Sequence, residues 1–367
     1  SLVVLPAAAQ TGTGDYAVIQ KAAAAYLSST KPATMSADDL YTNLNDGDKT
    51  NDPFIVDVRA PADYALGHIA GAINIPYKTI AKPENLAKLP KDKQIVTYCY
   101  TGHTGQMAST VLDLLGYNAT NLRFGIMGWS KDDRLMGTAK RFSADSGQKD
   151  YPVETKINTV DKTYAAPTVT TGASGDTEII RVAADKWLND PAPKVPALIA
   201  VNAVYENLND GDSSNDPMII DVRSAEHYAL GHVAGAINIP YKEIAKPENL
   251  AKLPAGKPIV VYCYTGHTGE IAGTVLGVMG YQASNMVYGM MAWTKNDKVL
   301  ATKRFGADLQ RDFKVVASAG DPAAAAPAAA AGSAPAKLPA TGAPLAFGLL
   351  MAALGLAGAG LTLRRAH

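Results

Sequence analysis

The feature that most constrains the fold of this chain is an internal duplication with a constant spacing of 164 residues, as from Tyr77 to Tyr241. Tyr77–Gln106 and Tyr241–Glu270 are identical at 24 of 30 positions, and the same spacing relates 41–59 to 205–223. Repeats that build solenoids are about 20–50 residues long. A repeat of this length therefore predicts two copies of one domain, and we call residues at this spacing counterparts.

Each copy alternates short apolar runs with helical patterns. The runs Phe54–Val58, Ala72–Ile75 and Ile95–Tyr98 are continuous and rich in β-branched residues, which is typical of strands buried on both faces. Apolar residues from Met107 to Leu115 at mixed three- and four-residue spacing predict a buried helix that stops at Gly116. The pattern predicts an α/β fold with two doubly wound parallel-sheet domains in tandem, with active sites at the carboxyl ends of the strands.

Composition changes along the chain predict its domain layout. The chain opens with an apolar stretch followed by small residues, which is typical of the end of a signal peptide. The predicted segments are a signal-peptide remnant (1–14), a first domain (15–150), a linker (151–175), a second domain (176–318), an Ala/Pro-rich linker (319–337) and a C-terminal segment (338–367). The 34 basic and 34 acidic residues balance, so nucleic acid is not an expected partner.

The two cysteines of the chain occupy one recurring loop. Cys99–Thr104 and Cys263–Thr268 each follow a predicted strand and open a predicted helix. Gly102 and Gly105 let the first loop curl tightly, and a helix N-terminus adds positive potential and inward N–H groups. Such a loop favours a thiolate and would also steady a negative charge on a second sulfur. The pattern predicts a nucleophilic cysteine with an anionic intermediate.

Other roles for these residues remain open but fit less well. A disulfide between the cysteines suits an extracellular protein, although equivalent positions of two separate domains rarely meet. Zinc would need further cysteines or a close histidine pair, and a cysteine phosphatase would need an arginine where Gly105 and Gly269 stand. The oxygen-rich segments 45–52 and 209–216 could hold calcium, but their spacing departs from the EF-hand and favours a polar turn. We predict no metal and no cofactor.

Both copies resemble the rhodanese (sulfurtransferase) family. The resemblance covers about three quarters of the chain and rests in the first copy on Asp57-Val58-Arg59, Gly67–Pro76, the Cys99 loop and Gly125–Trp129. In the second copy it rests on Asp221-Val222-Arg223, Gly231–Pro240, the Cys263 loop and Gly289–Trp293. The resemblance implies transfer of a sulfane sulfur from thiosulfate or a persulfide donor to cyanide or a thiol, through a cysteine persulfide.

The resemblance also implies a role for each loop residue. Cys99 and Cys263 would carry the persulfide. The substrate would be bound by the loop residues Tyr100, Thr101, Gly102, His103 and Thr104 and by Tyr264, Thr265, Gly266, His267 and Thr268, mainly through their amides. Asp57, Arg59, Asp221 and Arg223 would support the loops as ion pairs, and His68 and His232 are expected to make turn or core hydrogen bonds rather than to act as bases.

Three departures from the family pattern bear on activity. Many two-domain members keep the cysteine only in the second domain, whereas this chain has it in both. Efficient thiosulfate users often carry basic residues in the loop, where this chain has only His103 or His267. An acidic residue expected before the Gly-His segment is present as Asp63, but His227 stands at the second site.

The two copies also differ in the first turn of the helix after the cysteine loop. Glu270, which replaces Gln106 there, is expected to oppose the thiolate of Cys263.

The C-terminal segment resembles the sorting signal of surface proteins that a sortase anchors. Leu338–Gly342 reads LPATG, Ala343–Leu363 is an apolar run of 21 residues, and Arg364-Arg365 follow. At about 1.5 Å per residue such a run spans a bilayer, with the arginines on the cytoplasmic side. We expect an exported protein held at the cell surface, with a sortase, the cell wall or, in a plain anchor, the membrane alone as partner. The competing function is a surface module that holds persulfide or senses oxidants without turnover.

Overall fold

The structure is a computed structural model that describes residues 14–318. The predicted signal remnant apart from Gly14, the Ala/Pro-rich linker and the C-terminal segment lie outside these residues. Residues 14–318 contain ten strands, which are β1 (Thr34–Met35), β2 (Phe54–Asp57), β3 (Ile73–Asn74), β4 (Ile95–Tyr98), β5 (Ala119–Leu122), β6 (Leu198–Ile199), β7 (Met218–Asp221), β8 (Ile237–Asn238), β9 (Ile259–Tyr262) and β10 (Ala283–Met286).

The strands form two five-stranded parallel sheets of identical topology. Their orders are β1-β5-β4-β2-β3 and β6-β10-β9-β7-β8. The central strand β4 pairs with β2 from Ile95 opposite Phe54 to Tyr98 opposite Asp57. All four residues of β4 and of β9 are buried, as the continuous apolar runs require. The predicted fold class, two parallel α/β domains in tandem, is confirmed.

Fourteen helices cover the sheets among the described residues. They are α1 (Asp15–Leu27), α2 (Ala37–Leu44), α3 (Pro61–Leu66), α4 (Pro83–Leu86), α5 (His103–Leu114), α6 (Gly125–Trp129), α7 (Ala144–Gly147), α8 (Asp176–Leu188), α9 (Val201–Leu208), α10 (Ala225–Ala229), α11 (Pro247–Leu250), α12 (His267–Val278), α13 (Gly289–Trp293) and α14 (Asp297–Leu300). Among the helices of residues 14–318, none combines the length and apolarity that crossing a bilayer would need.

The domains pack against each other through α5 and α12. Every residue of α5 from Gly105 to Leu114 is buried, and so is every residue of α12 from Gly269 to Val278. A helix covers its own sheet with one face only, so burial on all sides shows that the other face meets the second domain. Tyr16 of α1 also crosses the interface, with its hydroxyl 3.1 Å from that of Tyr281.

Each domain is completed by the segment that follows the other domain. The N–H of Tyr151 donates to the carbonyl of Trp293 at 3.0 Å, and the N–H of Phe313 donates to the carbonyl of Trp129 at 3.0 Å. Both rings also stack on a tyrosine of the domain they join. The start of the predicted linker (151–175) therefore packs as part of the second domain, and the end of the predicted second domain (176–318) packs as part of the first.

Candidate active site

The first cysteine lies where β4 ends and α5 begins. Cys99 follows Tyr98 directly, and its side chain is 1% exposed. The N–H of Gly102 points at the sulfur, with nitrogen and Sγ 3.1 Å apart. Gly102 precedes the first residue of α5, so the sulfur lies at the positive end of a twelve-residue helix. The second copy repeats this arrangement, with the N–H of Gly266 3.1 Å from the Sγ of Cys263.

The two glycines of the loop have different structural roles. Gly102 has a φ of 92°, a left-handed conformation in which a side chain is strained. Gly105 lies inside α5, where an added Cβ would be 2.4 Å from Oδ1 of Asn121 on β5. The sequence predicted that both glycines permit a tight curl, which holds for the φ of Gly102. Gly105 instead allows the helix to approach the neighbouring strand closely.

An asparagine on the adjacent strand holds the loop in place. Nδ2 of Asn121 donates to the carbonyl of Gly102 at 2.9 Å, and its counterpart Asn285 donates to Gly266 at 3.0 Å. Both asparagines are fully buried. Neither asparagine was predicted from the sequence, although an asparagine inside a buried strand, repeated in both copies, is the signal that could have identified them.

The predicted supporting residues form a buried ion pair next to the loop. Arg59 and Asp57 are both fully buried, and Nη2 of Arg59 lies 2.6 Å from Oδ2 of Asp57. The guanidinium also donates to the carbonyls of Leu135 and Gly67 at 2.8 and 2.7 Å. Arg223 and Asp221 repeat the pair at 2.6 Å. The arginines tie the ends of β2 and β7 to surrounding loops, and their part in catalysis stays a prediction.

The divergent residues Asp63 and His227 contact the loop tyrosines rather than the sulfurs. The hydroxyl of Tyr100 donates to Oδ2 of Asp63. At the second site, Nδ1 of His227 lies 2.6 Å from the hydroxyl of Tyr264. Burial, followed by the hydrogen bond to Asp63, raises the pKa of Tyr100 well above its usual value. This phenol is therefore neutral at physiological pH and acts as a donor that fixes the outer side of the loop.

The loop histidines connect the two sites across the domain interface. Nε2 of His267 accepts the N–H of Phe124 at 3.2 Å, and Nε2 of His103 accepts the N–H of Tyr288 at 3.1 Å. The two imidazoles stack with centroids 5.5 Å apart. An added Cβ on Gly102 would be 2.5 Å from Nε2 of His267. Each loop is thus covered by the histidine of the other domain, a contact that the sequence did not reveal.

These contacts fix the protonation of both rings. A backbone N–H can only donate, so Nε2 of each imidazole is unprotonated and the proton lies on Nδ1. Nδ1 then donates to the hydroxyl of Thr101 or Thr265, each 2.9 Å away. Burial lowers the pKa of His103 to about 4, and burial followed by the charge of His103 lowers the pKa of His267 well below its usual range. Both rings are neutral at physiological pH.

The carboxyl of Glu270 was expected to be charged and to oppose the Cys263 thiolate, but in the structure its burial favours the neutral form. Burial raises its pKa to about 8, although Nδ2 of Asn285 donates to it at 2.9 Å. The carboxyl is therefore mostly neutral at pH 7, so it opposes the Cys263 thiolate only weakly there. Glu270 also lies near the first domain: the pKa of Tyr77 is raised by burial and then by the charge that Glu270 carries once it has ionised.

The remaining predicted residues lie at structural positions. Nδ1 of His68 lies 2.9 Å from the carbonyl of Tyr64 in its own turn, and His232 does the same with Tyr228. Cys99 and Cys263 are free thiols.

The carboxylates of the predicted acidic turn are engaged in hydrogen bonds within the turn itself. In segment 45–52, Asp46 accepts the N–H of Asp48 at 2.7 Å and Asp48 accepts the N–H of Thr50 at 2.9 Å, so these carboxylates cap a turn. Across the described residues, no three His, Cys, Asp or Glu side chains are grouped to hold a metal ion.

Relatives of this chain include several sulfurtransferases. A sulfurtransferase of Allochromatium vinosum is 37% identical over 83 residues, which cover 22% of this chain and 76% of that protein. The thiosulfate:glutathione sulfurtransferase of Saccharomyces cerevisiae is 32% identical over 84 residues, covering 20% of this chain and 60% of the yeast protein. The chain spans only 25% of the probable adenylyltransferase/sulfurtransferase MoeZ of Mycobacterium tuberculosis, at 36% identity over 102 residues.

Solved structures of the same type match one copy or both. A rhodanese-like domain protein of Staphylococcus aureus is 28% identical, and the match covers 28% of this chain and 94% of the Staphylococcus chain, with a TM-score of 0.25. The match to the thiosulfate sulfurtransferase of Pseudomonas aeruginosa covers 82% of this chain and 49% of the Pseudomonas chain, at 17% identity and with a TM-score of 0.27.

The family model for the rhodanese-like domain matches the chain twice, over residues 36–132 and 200–296. Each match begins before the second strand of its domain and includes the cysteine loop and the helix that follows it. Together the two matches cover more than half of the 367 residues. The chain therefore belongs to the rhodanese-like domain family.

Proposed function

We propose that this protein is a sulfurtransferase that carries sulfane sulfur as a persulfide on Cys99 and on Cys263. The observation that carries the proposal is the N–H of Gly102 directed at the Cys99 sulfur from the N-terminus of α5, repeated at Cys263. This N–H and the positive end of the helix would stabilise the negative charge on the outer sulfur of a persulfide. The names of the relatives support a sulfurtransferase activity in general.

The proposed reaction has two steps. The cysteine thiolate attacks the outer sulfur of thiosulfate, the bond between the two sulfur atoms breaks, and sulfite leaves with the electron pair. The cysteine is then a persulfide, whose terminal sulfur carries the negative charge that the loop N–H and the helix end stabilise. In the second step, a nucleophile such as cyanide attacks the terminal sulfur. The bond between this sulfur and Sγ breaks, thiocyanate leaves, and the cysteine is restored as a thiolate.

The experiment compares sulfur loading with sulfur release in the full chain. After incubation with thiosulfate, the intact mass should rise by up to two sulfur atoms, and cyanide should remove them as thiocyanate. Cys99→Ser and Cys263→Ser should each abolish one addition, and the double variant should abolish both. Thiocyanate formation at the wild-type rate in the double variant would disprove the cysteine mechanism.

A second candidate function is favoured by the burial of both sites. Cys99 and Cys263 are each 1% exposed, and each loop is covered by a histidine of the other domain. A protein that loads sulfur slowly and holds it would benefit from such closure. Repeated turnover with excess thiosulfate and cyanide supports the enzyme, whereas one round of sulfur release per cysteine supports a storage or redox-sensing module.

We further propose that the protein acts at the cell surface, anchored through residues 338–367. The LPATG sequence, the apolar run and the terminal arginines support this location. If a sortase reads the motif, Thr341→Ala should turn a wall-linked protein into one that detergent extracts. Wild-type protein that detergent already extracts fully would favour a plain membrane anchor, and protein found in the cytoplasm would disprove both.

A further inference from the structure

A cleft of about 410 Å³ lies between the two domains, and no residue of either cysteine loop lines it. The first domain contributes Tyr77 and Met107 to its wall, and the second domain contributes Trp187 and Gly277. The chain segment 168–171 closes one side. A volume of this size is typical of small-molecule sites, which often lie at domain interfaces.

The counterpart of this cleft in the first domain is filled. There the ammonium of Lys31 pairs with the carboxylate of Asp113 and donates to the carbonyl of Ala119 at 2.7 Å. Only about 10 Å³ of space remains around these residues. The counterpart of Asp113 is Gly277, where the indole of Trp187 lies so close that an added Cβ would be 2.2 Å from its Nε1, and the counterpart of Lys31 is Val195, which has no ammonium group. The cleft is therefore a product of divergence between the two copies.

The rim of the cleft carries more positive than negative charge, with three lysines and one aspartate. Lys78, Lys186 and Lys194 line it with exposed side chains, and none of them forms an ion pair with any carboxylate of residues 14–318. The acidic residue of the lining is Asp190, whose Oδ1 already accepts the N–H of Ala192 at 3.0 Å. The lining therefore has an excess of positive charge in a site with low-dielectric walls, which attracts anions.

The wall of the cleft has a substantial apolar part beside its hydroxyl, amide and charged groups. The half-buried indole of Trp187 belongs to this part, together with Met107, Leu188, Val195 and Val278. Polar ligands without an apolar part would leave this wall in contact with water. We propose that the cleft binds an organic anion with a flat apolar body, which the indole contacts while the three lysines meet its acidic group. This ligand site is separate from the proposed persulfide chemistry and does not depend on it.

The test uses anilinonaphthalene sulfonate as the anion and uncharged phenylnaphthylamine as its neutral analogue. Trp187→Phe shows which part of the quenching comes from Trp187, because Trp129 and Trp293, which are 3% and 2% exposed, can also transfer energy to the sulfonate. We expect saturable quenching of Trp187 fluorescence by the sulfonate at one site per full-length chain. Replacement of Lys78, Lys186 and Lys194 by alanine should weaken sulfonate binding about tenfold, since exposed charges contribute modestly each. Binding of the neutral analogue should stay unchanged.

The matched control replaces Lys93, Lys295 and Lys298, three exposed lysines outside the cleft, and so removes the same total charge. This control should bind the sulfonate as the wild type does. Gly277→Asp restores the residue of the first domain and should weaken both probes. If that variant does not fold, because an added Cβ would lie 2.2 Å from Nε1 of Trp187, the two lysine triplets decide alone. Equal weakening by both triplets, or none by the cleft triplet, would overturn the proposal.

Discussion

The buried carboxyl of Glu270 predicts that the stability of this protein falls as pH rises. Glu270 is 1% exposed, and burial raises its pKa from the ordinary 4.5 to about 8 in the folded chain. Between these two values the folded state holds a proton that the unfolded state has released. The stabilisation from this proton is complete below the unfolded pKa and is lost as pH rises through the folded pKa.

The size of the effect follows from the two pKa values. One unit of pKa difference corresponds to about 1.4 kcal/mol. Between about pH 5 and about pH 9, ionisation of Glu270 should lower the free energy of unfolding by about 4 kcal/mol. Glu270→Gln cannot ionise and should remove this slope. The amide fits the site, because the counterpart position already holds Gln106 in the same buried turn.

Urea unfolding followed by circular dichroism, at several pH values from about 5 to about 9, measures the slope. The difference between wild type and Glu270→Gln isolates the one carboxyl, because all other groups titrate in both proteins. Glu248→Gln, which removes an exposed carboxyl, should leave the slope unchanged. Gln106→Glu should add a second slope of the same sign. If wild type and Glu270→Gln lose stability in parallel with rising pH, Glu270 is not the group that binds the proton.

Two further substitutions test the loop and its support. An alanine in the left-handed conformation costs about 1–2 kcal/mol. Gly102→Ala should destabilise the protein by more than this, because the new Cβ would lie 2.9 Å from the backbone nitrogen of Phe124. The control in the same urea assay is Gly71→Ala, since Gly71 has a φ of 83° but lies in open space. Arg59→Ala should cost about 3–5 kcal/mol, because it leaves the buried carboxylate of Asp57 without its partner. Equal losses in the two glycine variants, or an unaffected Arg59→Ala, would contradict these assignments.

The fold class and the place of the cysteines could be predicted because local patterns determine them. The run Ile95–Tyr98 is β4 as predicted, and the strand predicted at 54–58 is β2 at Phe54–Asp57. Strand β5, Ala119–Leu122, was not predicted, because its sequence ATNL contains two polar residues and lacks the apolar run of a buried strand. Those polar residues are buried for a specific reason, since Asn121 holds the carbonyl of Gly102.

The contacts between the two copies could not be predicted from the sequence. His103 and His267 stand in short loops whose local pattern gives no information about what faces them. Their partners, the amides of Tyr288 and Phe124, are 185 and 143 residues away and belong to the other domain. In the same way, the packing of the two domains determines that one interdomain cleft is open and that its counterpart is filled. A duplicated sequence predicts the domains but does not determine how they pack.

The cross-domain histidines lead to a last prediction, in which each histidine controls the cysteine of the other domain. The N–H of Phe124, which His267 accepts, lies just before α6, and the next amides of that helix hold the loop. Those of Ile126 and Met127 donate to the carbonyls of Cys99 and Tyr100 at 2.8 and 2.9 Å. His267→Ala should therefore loosen the Cys99 loop and uncover its sulfur.

An unpartnered buried N–H costs about 1–3 kcal/mol, which corresponds to an opening equilibrium shifted about 5- to 150-fold. Iodoacetamide labelling, read by mass spectrometry of the two cysteine peptides, should then accelerate at Cys99 by about that factor and much less at Cys263. His103→Ala should give the mirror result, with Cys263 accelerated. Thr265→Ala removes the hydrogen bond that orients the ring of His267, so it should accelerate Cys99 in the same direction but by less than His267→Ala does. Acceleration of Cys263 rather than Cys99 in His267→Ala would show that each histidine serves its own loop, and the two sites would then be independent.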